Sequence, residues 1–292
     1  MLKSFWEDIV HQFRMGSVII RLIIICIAIF VCMETLHLIL WSSQRDALYA
    51  TIYHWVALPY DLTVLIRKPW TIISYMFVHA GVGHLLYNML WLYWFGEIYQ
   101  LYMRDRRALA VFFGGGLAGA ALSITAYHIL PPLRPLVPEA TLVGASAGIE
   151  AIMFAATALN PDHRIRLFFI GEVPLKFVAL GIFILNYVAI TYGNPGGEIA
   201  HIGGAIFGFT YIKSLQSGVD WFAPLDRVSR LFSRSGRNMK ATHVSRGATA
   251  TQPERPSSEQ KRLDEILDKI SKSGYSSLSK EEKDFLFKYS NK

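Results

Sequence analysis

Six stretches of this chain, about 18–41, 83–101, 107–130, 142–159, 173–192 and 200–217, are apolar over the length that a helix needs to cross a bilayer. Nothing else in the sequence restricts the fold so strongly. With 52% hydrophobic residues and a mean hydropathy of +0.31, the 292-residue chain does not read as a soluble domain. The spacing predicts an all-α membrane protein, a six-transmembrane-helix bundle over 18–217 behind an N-terminal segment at 1–17. An even number of spans puts both ends on one side. The first span lacks a small-residue cleavage site and exceeds the apolar core of a signal peptide, so it reads as a retained anchor.

Basic residues orient the bundle, because short cytoplasmic connections are enriched in them. Lys3, Arg14 and Arg21 precede or open the first span, Arg104, Arg106 and Arg107 fill the second connection, and Arg164 and Arg166 lie in the fourth. The fifth, Tyr192 to Glu198, has none. The N-terminus and tail are therefore expected in the cytoplasm, in a bacterial-type plasma (inner) membrane. Arg45, Arg67 and Lys68 run against the pattern, in a long first connection whose Tyr49, Tyr53, Trp55, Tyr60 and Trp70 suit an interfacial position. An extracellular helical hairpin is the alternative there. Cys26 and Cys32 fall within the first span and read as small buried residues, implying neither disulfide nor metal.

Polar side chains inside such segments are costly and usually functional. Ser146 lies in Gly144-Ala145-Ser146-Ala147-Gly148 and His201 in Ala200-His201-Ile202-Gly203-Gly204. A serine hydroxyl becomes a nucleophile when a base takes its proton, and histidine is the usual base. Spans two, four and six all enter from the outside, so Ser146, His201, His84 and Asn88 share a layer within roughly 10 Å of the outer boundary. His84 and Asn88, at i and i+4, face one way and can donate to a developing oxyanion, although such a pair can also clamp two helices. His79 suits an interfacial or core position equally well. Small residues in span four, and Gly203, Gly204 and Gly208 in span six, allow the close approach that a Ser–His hydrogen bond requires; Gly114, Gly115, Gly116 and Gly119 in span three read as packing only. The match of Gly144–Gly148 to a nucleophile elbow is accidental, since no strand-rich core accompanies it.

These residues resemble the rhomboid intramembrane serine proteases over about 40–217. His79-Ala80-Gly81-Val82-Gly83-His84-Leu85-Leu86-Tyr87-Asn88 is similar to the family's second-span motif, Gly144-Ala145-Ser146-Ala147 to its Gly-x-Ser-Gly, and Ala200 to Gly208 to its last-span histidine motif. The resemblance implies an endopeptidase that needs no cofactor, with Ser146 as nucleophile and His201 as general base and then acid. It further implies an oxyanion hole from His84, Asn88 and the Ser146 amide, and transmembrane protein substrates that unwind near the outer face at small or helix-breaking residues. A rhomboid-like pseudoprotease that binds transmembrane helices without cutting them is the competing reading. Three positions depart from the family pattern: Ala147 stands for a glycine, Thr71 for an arginine and Glu150 for a tyrosine.

Glu150, one turn below Ser146, suggests a further expectation, that its carboxylate contacts and orients His201 in a Ser–His–Glu relay. The alternative is a protonated Glu150 bonded to a neighbouring helix. The Gly- and Pro-rich fifth connection is a candidate lid. Glu34 and His37, at i and i+3 in span one, could belong to a transporter, but no inverted repeat supports that and a hydrogen-bonded pair explains them.

Beyond Ser217 the composition turns basic and polar, reading as a flexible linker over 218–258, most clearly disordered around 233–258. A helical hairpin follows over 259–292. Leu263, Ile266, Leu267 and Ile270 recur at helical spacing, and Ser257-x-x-Gln260 and Ser279-x-x-Glu282 are capping boxes. This cytosolic module is small enough to need a protein partner, another copy or the membrane surface, and its basic linker suits anionic lipid rather than nucleic acid.

Overall fold

A computed structural model of the chain describes residues 2–167, 170–223, 258–273 and 277–290. It divides into two units, Met1–Phe232 and Ser233–Lys292. The first is mostly helical. A surface helix α1 (Leu2–Met15) leads into α2 (Val18–Ser42), which Ser17 opens by accepting a hydrogen bond from the Ile20 amide at 3.4 Å. After the first connection come α6 (Val82–Gln100), α7 (Asp105–Ile129), α8 (Ser146–Leu159), α9 (Leu175–Ala189) and α10 (Pro195–Gln216). Helices thus occupy all six apolar stretches. Among the described residues, α2 and α7 are long and apolar enough to cross a membrane by themselves, and α8 and α9 are shorter apolar helices.

Side-chain size decides which helix is central. Ala147, Gly148, Ile149, Ala151, Ile152, Met153, Ala155 and Ala156 bury nearly the whole circumference of α8. Glycines on the flanking helices let backbones meet: a Cβ on Gly204 or Gly208 of α10 would lie 2.0 Å from the carbonyl oxygen of Ala147 or Ala151. On α7, Gly115 faces Ala151, and Gly119 fits between Ala147 and Ala200. Such contacts, too close for any larger side chain, are the main means of association where lipid is as apolar as the helix surface. Outward faces carry the large apolar residues instead: Leu86, Leu90 and Trp94 on α6, and Phe177, Leu180, Ile184 and Leu185 on α9, are exposed.

The first connection is a folded unit in its own right. It comprises α3 (Asp46–Val56), a short strand β1 (Leu58–Pro59), α4 (Leu62–Arg67), α5 (Thr71–Ser74) and a 3-10 turn at Tyr75–Phe77. Trp55 and Trp70 stack with ring centroids 5.4 Å apart, and the Trp70 indole donates to the Trp55 carbonyl at 2.8 Å. Thr71, fully buried, donates to the Lys68 carbonyl at 2.7 Å. β1 pairs antiparallel with β2 (Thr141–Leu142), the segment that leads into α8. A second two-stranded ribbon, β3 (Arg164–Leu167) with β4 (Gly171–Pro174), joins α8 to α9.

Of the two cysteines, Cys26 is buried as expected and Cys32 is not: it lies on an exposed face of α2. The His37 ring stacks on Tyr49 at 4.1 Å and stands 3.9 Å from the Glu34 carboxylate, consistent with a local polar pair. In the second unit, helices span Ser258–Ser273 and Lys280–Ser290. Ser279 and Glu282 form the anticipated capping box, the Ser279 amide donating to Glu282 at 2.7 Å and the Glu282 amide to Ser279 Oγ at 3.3 Å. Of the flexible linker expected over 218–258, the start is instead tied to the bundle, where Asp220 accepts from Arg107 of α7 at 3.1 Å and Phe222 packs on the core; 224–257 and the Ser257-Gln260 box lie outside the described residues or side chains.

Candidate active site

Ser146 is the first residue of α8 rather than a residue several positions into it. The reason is local. Leu142 is held in the strand pair, and Gly144 has φ +123°, a left-handed conformation that glycine adopts readily and that cannot propagate into a helix. The Gly144 amide donates to the Tyr75 carbonyl at 2.9 Å, fixing the turn. Ser146 therefore sits where helix N–H groups have no intrahelical acceptor, so its own amide is available to an incoming oxygen.

His201 lies about two turns into α10. Its Nε2 is 2.7 Å from Ser146 Oγ, across 55 residues of sequence. Three features fix α10 at this height. Asn194 caps the helix, accepting from the Gly197 amide at 3.1 Å, and Pro195 occupies its first turn. Buried Tyr60 donates to Ser123 Oγ at 2.8 Å, and Ser123 donates in turn to the Gly196 carbonyl at 2.8 Å. Tyr127 stacks on Tyr60 at 3.7 Å. The expected lid is thereby shortened, because Pro195 to Glu198 form the first turn of α10 and leave only about 190–194 as connection.

His84 reaches the same place from α6. A Cβ on Gly144 would lie 2.9 Å from His84 Cε1 and Nε2, with Ser146 Oγ at 3.6 Å, so the His84 ring edge and the serine flank one glycine. The Ala80 amide is 3.3 Å from His84 Nδ1 and donates to it, which places the proton of the neutral ring on Nε2, facing the serine. Asn88 is buried on the same face, but its Nδ2 donates to the His84 carbonyl of its own helix at 2.8 Å. The structure thus brings Ser146, His201 and His84 together and turns Asn88 toward its own backbone. His79, buried in the connection before α6, stacks edge-on with His84 at 5.2 Å. Burial first and the neighbouring His84 second push its pKa down to about 4, so it is neutral near pH 7.

Glu150 makes the alternative contact, a hydrogen bond to a neighbouring helix, and not the relay to His201. Its Oε1 accepts from Asn186 Nδ2 of α9 at 3.2 Å, and no hydrogen bond or ion pair joins it to His201. The carboxylate beside His201 Nδ1 belongs to Glu198, with Oε2 at 3.4 Å. The sequence does not single out Glu198, because its segment reads as a loop; the Asn194-Pro195 helix start is the signal available for it. Ala147 does not crowd the serine, since its methyl group packs against Gly119 of α7. Among the described residues no cluster of His, Cys, Asp or Glu could hold a metal ion.

A bundle of apolar helices joined by small-residue contacts marks the class as a helical membrane protein, and within it a serine hydroxyl at a helix N-terminus is hydrogen-bonded to an imidazole. Sequence comparison agrees. The model of the Rhomboid domain matches residues 67–217, more than half of the chain, and the chain belongs to the rhomboid family. Residues 254–292 match a family of unknown function, DUF6576. Similar curated proteins include RHOMBOID-like protein 12, mitochondrial, of Arabidopsis thaliana, 29% identical over 46% of this chain and 43% of that protein. Rhomboid-related protein 2 of Mus musculus is 32% identical over 49% and 47%, and Rhomboid-related protein 1 of Caenorhabditis elegans 27% identical over 49% and 39%. The chain spans less than half the length of these relatives.

Proposed function

We propose that the chain is an intramembrane serine endopeptidase that cuts transmembrane segments of other proteins near the outer face. The 2.7 Å contact between Ser146 Oγ and His201 Nε2 carries this reading. On it, α2, α6, α7, α8, α9 and α10 each cross the bilayer, with the N-terminus and the tail in the cytoplasm of a bacterial-type cell. At 14 residues α8 is about 21 Å long, roughly 9 Å short of the hydrocarbon thickness. A serine at its outer end is recessed below the surface yet within reach of water from outside.

His201 takes the Ser146 proton as Oγ attacks the scissile carbonyl. The Ser146 amide and His84 Nε2–H receive the oxyanion, joined by Asn88 once its amide turns from its own helix. His201 then protonates the leaving amine, and water activated by the same imidazole releases the acyl group. No cofactor is required by these steps. The tail module is proposed to bind a protein partner or anionic lipid.

Cleavage of a panel of single-span substrates by purified protein in lipid tests the reading, comparing wild type with Ser146→Ala and His201→Ala alongside fluorophosphonate labelling. Cleavage and labelling that vanish in both variants support it. A folded wild type that neither cuts nor labels favours a helix-binding pseudoprotease instead.

A further inference from the structure

We propose that Glu198 is a positioning residue for His201, its carboxylate holding the imidazole in the tautomer and plane that direct Nε2 at Ser146. The inference rests on Ser146 and His201 acting as nucleophile and base. For Nε2 to accept the serine proton, the single N–H of a neutral imidazole must be on Nδ1. That Nδ1 is buried and has no hydrogen-bond partner of full geometry. The acceptor facing it is Glu198 Oε2 at 3.4 Å, one turn earlier on the same helix at i and i+3. A small rotation of this carboxylate completes the hydrogen bond, because the Glu198 side chain is 22% exposed and retains room to move.

The surroundings leave Glu198 as the fitting partner. From α6, His84 and Tyr87 lie within electrostatic reach of the His201–Glu198 pair. From α8, Glu150 also senses His201, but its hydrogen bond is to the uncharged Asn186 of α9. Where α7 meets this part of α10 it offers Gly119, against the Ala200 carbonyl, and no charge. As Ser146 attacks, its proton moves to Nε2 and the Nδ1 proton stays between His201 and Glu198. The imidazolium formed is thus stabilised by an anion on a rigid, capped helix turn. The leaving amine takes the Nε2 proton and returns the imidazole to its neutral form, with the acyl group on Ser146 Oγ until water, activated by the same imidazole, releases it.

A carboxylate in a first helical turn also favours the helix dipole, so a purely structural role must be separated from positioning. Wild type, Glu198→Gln, Glu198→Asp and Glu150→Gln are compared in lipid nanodiscs by two readouts. The first is the His201 imidazole pKa from nitrogen-15 histidine NMR; the second is the pH profile of kcat/KM. Removing an adjacent anion lowers an imidazole pKa. Glu198→Gln is therefore expected to lower it by about one unit. The acid limb of kcat/KM should move down by the same amount, and kcat should fall about tenfold with KM unchanged. Glu198→Asp should recover part of each effect, and Glu150→Gln, whose carboxyl senses His201 without a hydrogen bond to it, should shift the imidazole less than Glu198→Gln does.

An unmoved imidazole pKa in Glu198→Gln overturns the proposal, as does a lower melting temperature with an unmoved profile, which is the structural role. So does a shift that appears in Glu150→Gln instead. A wild type that does not cut any substrate refutes the protease reading separately, and the NMR titration still decides the His201–Glu198 contact.

Discussion

Replacing Gly204 by alanine adds one methyl group at the interface on which the site depends. The new Cβ would lie 2.0 Å from the Ala147 carbonyl oxygen and 2.8 Å from its carbon, and both are backbone atoms that cannot rotate away. Ordinary contact begins near 3.4 Å, so α8 and α10 must separate by roughly 1.4 Å at this level. Ala147 follows the nucleophile directly, and Gly204 is one turn beyond the base. A separation of only about 0.8 Å there takes the 2.7 Å Ser146–His201 contact past hydrogen-bonding distance. A misplacement of that order costs about 10²-fold in rate.

Overpacking would cost roughly 1–3 kcal/mol, offset by up to about 1 kcal/mol of helix propensity gained on replacing glycine. Cleavage of a single-span substrate and the rate of fluorophosphonate labelling should both fall about 100-fold, with a smaller change in melting temperature. Gly181→Ala in α9 is the matched control, for its Cβ meets nothing within 4 Å and activity should be unchanged. If Gly204→Ala retains labelling within about threefold of wild type, the helix contact does not set the catalytic distance and the reasoning fails.

Three further outcomes are expected. Gly144→Ala should abolish labelling, since φ +123° disfavours any Cβ and the added one would lie 2.9 Å from the His84 ring; a normal labelling rate would separate His84 from the site. His79 is held neutral in the folded protein, its pKa down from 6.5 to about 4, while the unfolded chain takes up a proton at the ordinary value. Stability is therefore full above pH 6.5 and falls as the pH drops toward 4, by about 3 kcal/mol from this group, and His79→Phe should flatten that acid slope in thermal unfolding. Tyr60→Phe removes the donor to Ser123 beneath the start of α10, at a cost of about 1 kcal/mol. A melting temperature lower by roughly 2–4 °C checks it.

Periodicity and apolar length located the helices of the six apolar stretches to within a few residues, except at the start of α10, which begins early at Pro195, and at the start of α8. That boundary turns on the φ of Gly144 and the pairing of Leu142 with Leu58, neither of which an apolar window registers. The same limit explains Glu150 and Glu198. Both are carboxylates within a turn of a proposed catalytic residue, and sequence spacing ranks them only by their helical offsets. Choosing between them requires knowing that Asn186 of α9 faces Glu150 and that α10 begins early enough to place Glu198 on the His201 face. The capping box at Ser279 and Glu282 was legible because it is a local contact.

By itself, then, the sequence determined what depends on neighbours along the chain. These are the helices, the small-residue faces and the placing of one serine and two histidines near helix ends, because hydropathy and helical period act over a few turns. Tertiary structure decided what depends on distance between helices. The 2.7 Å approach of His201 to Ser146, the flanking of Gly144 by His84, the turning of Asn88 to its own backbone and the exchange of Glu150 for Glu198 beside His201 all follow from which side chains the bundle brings face to face. A change of one ångström in such a distance leaves the hydropathy pattern untouched and removes a hydrogen bond.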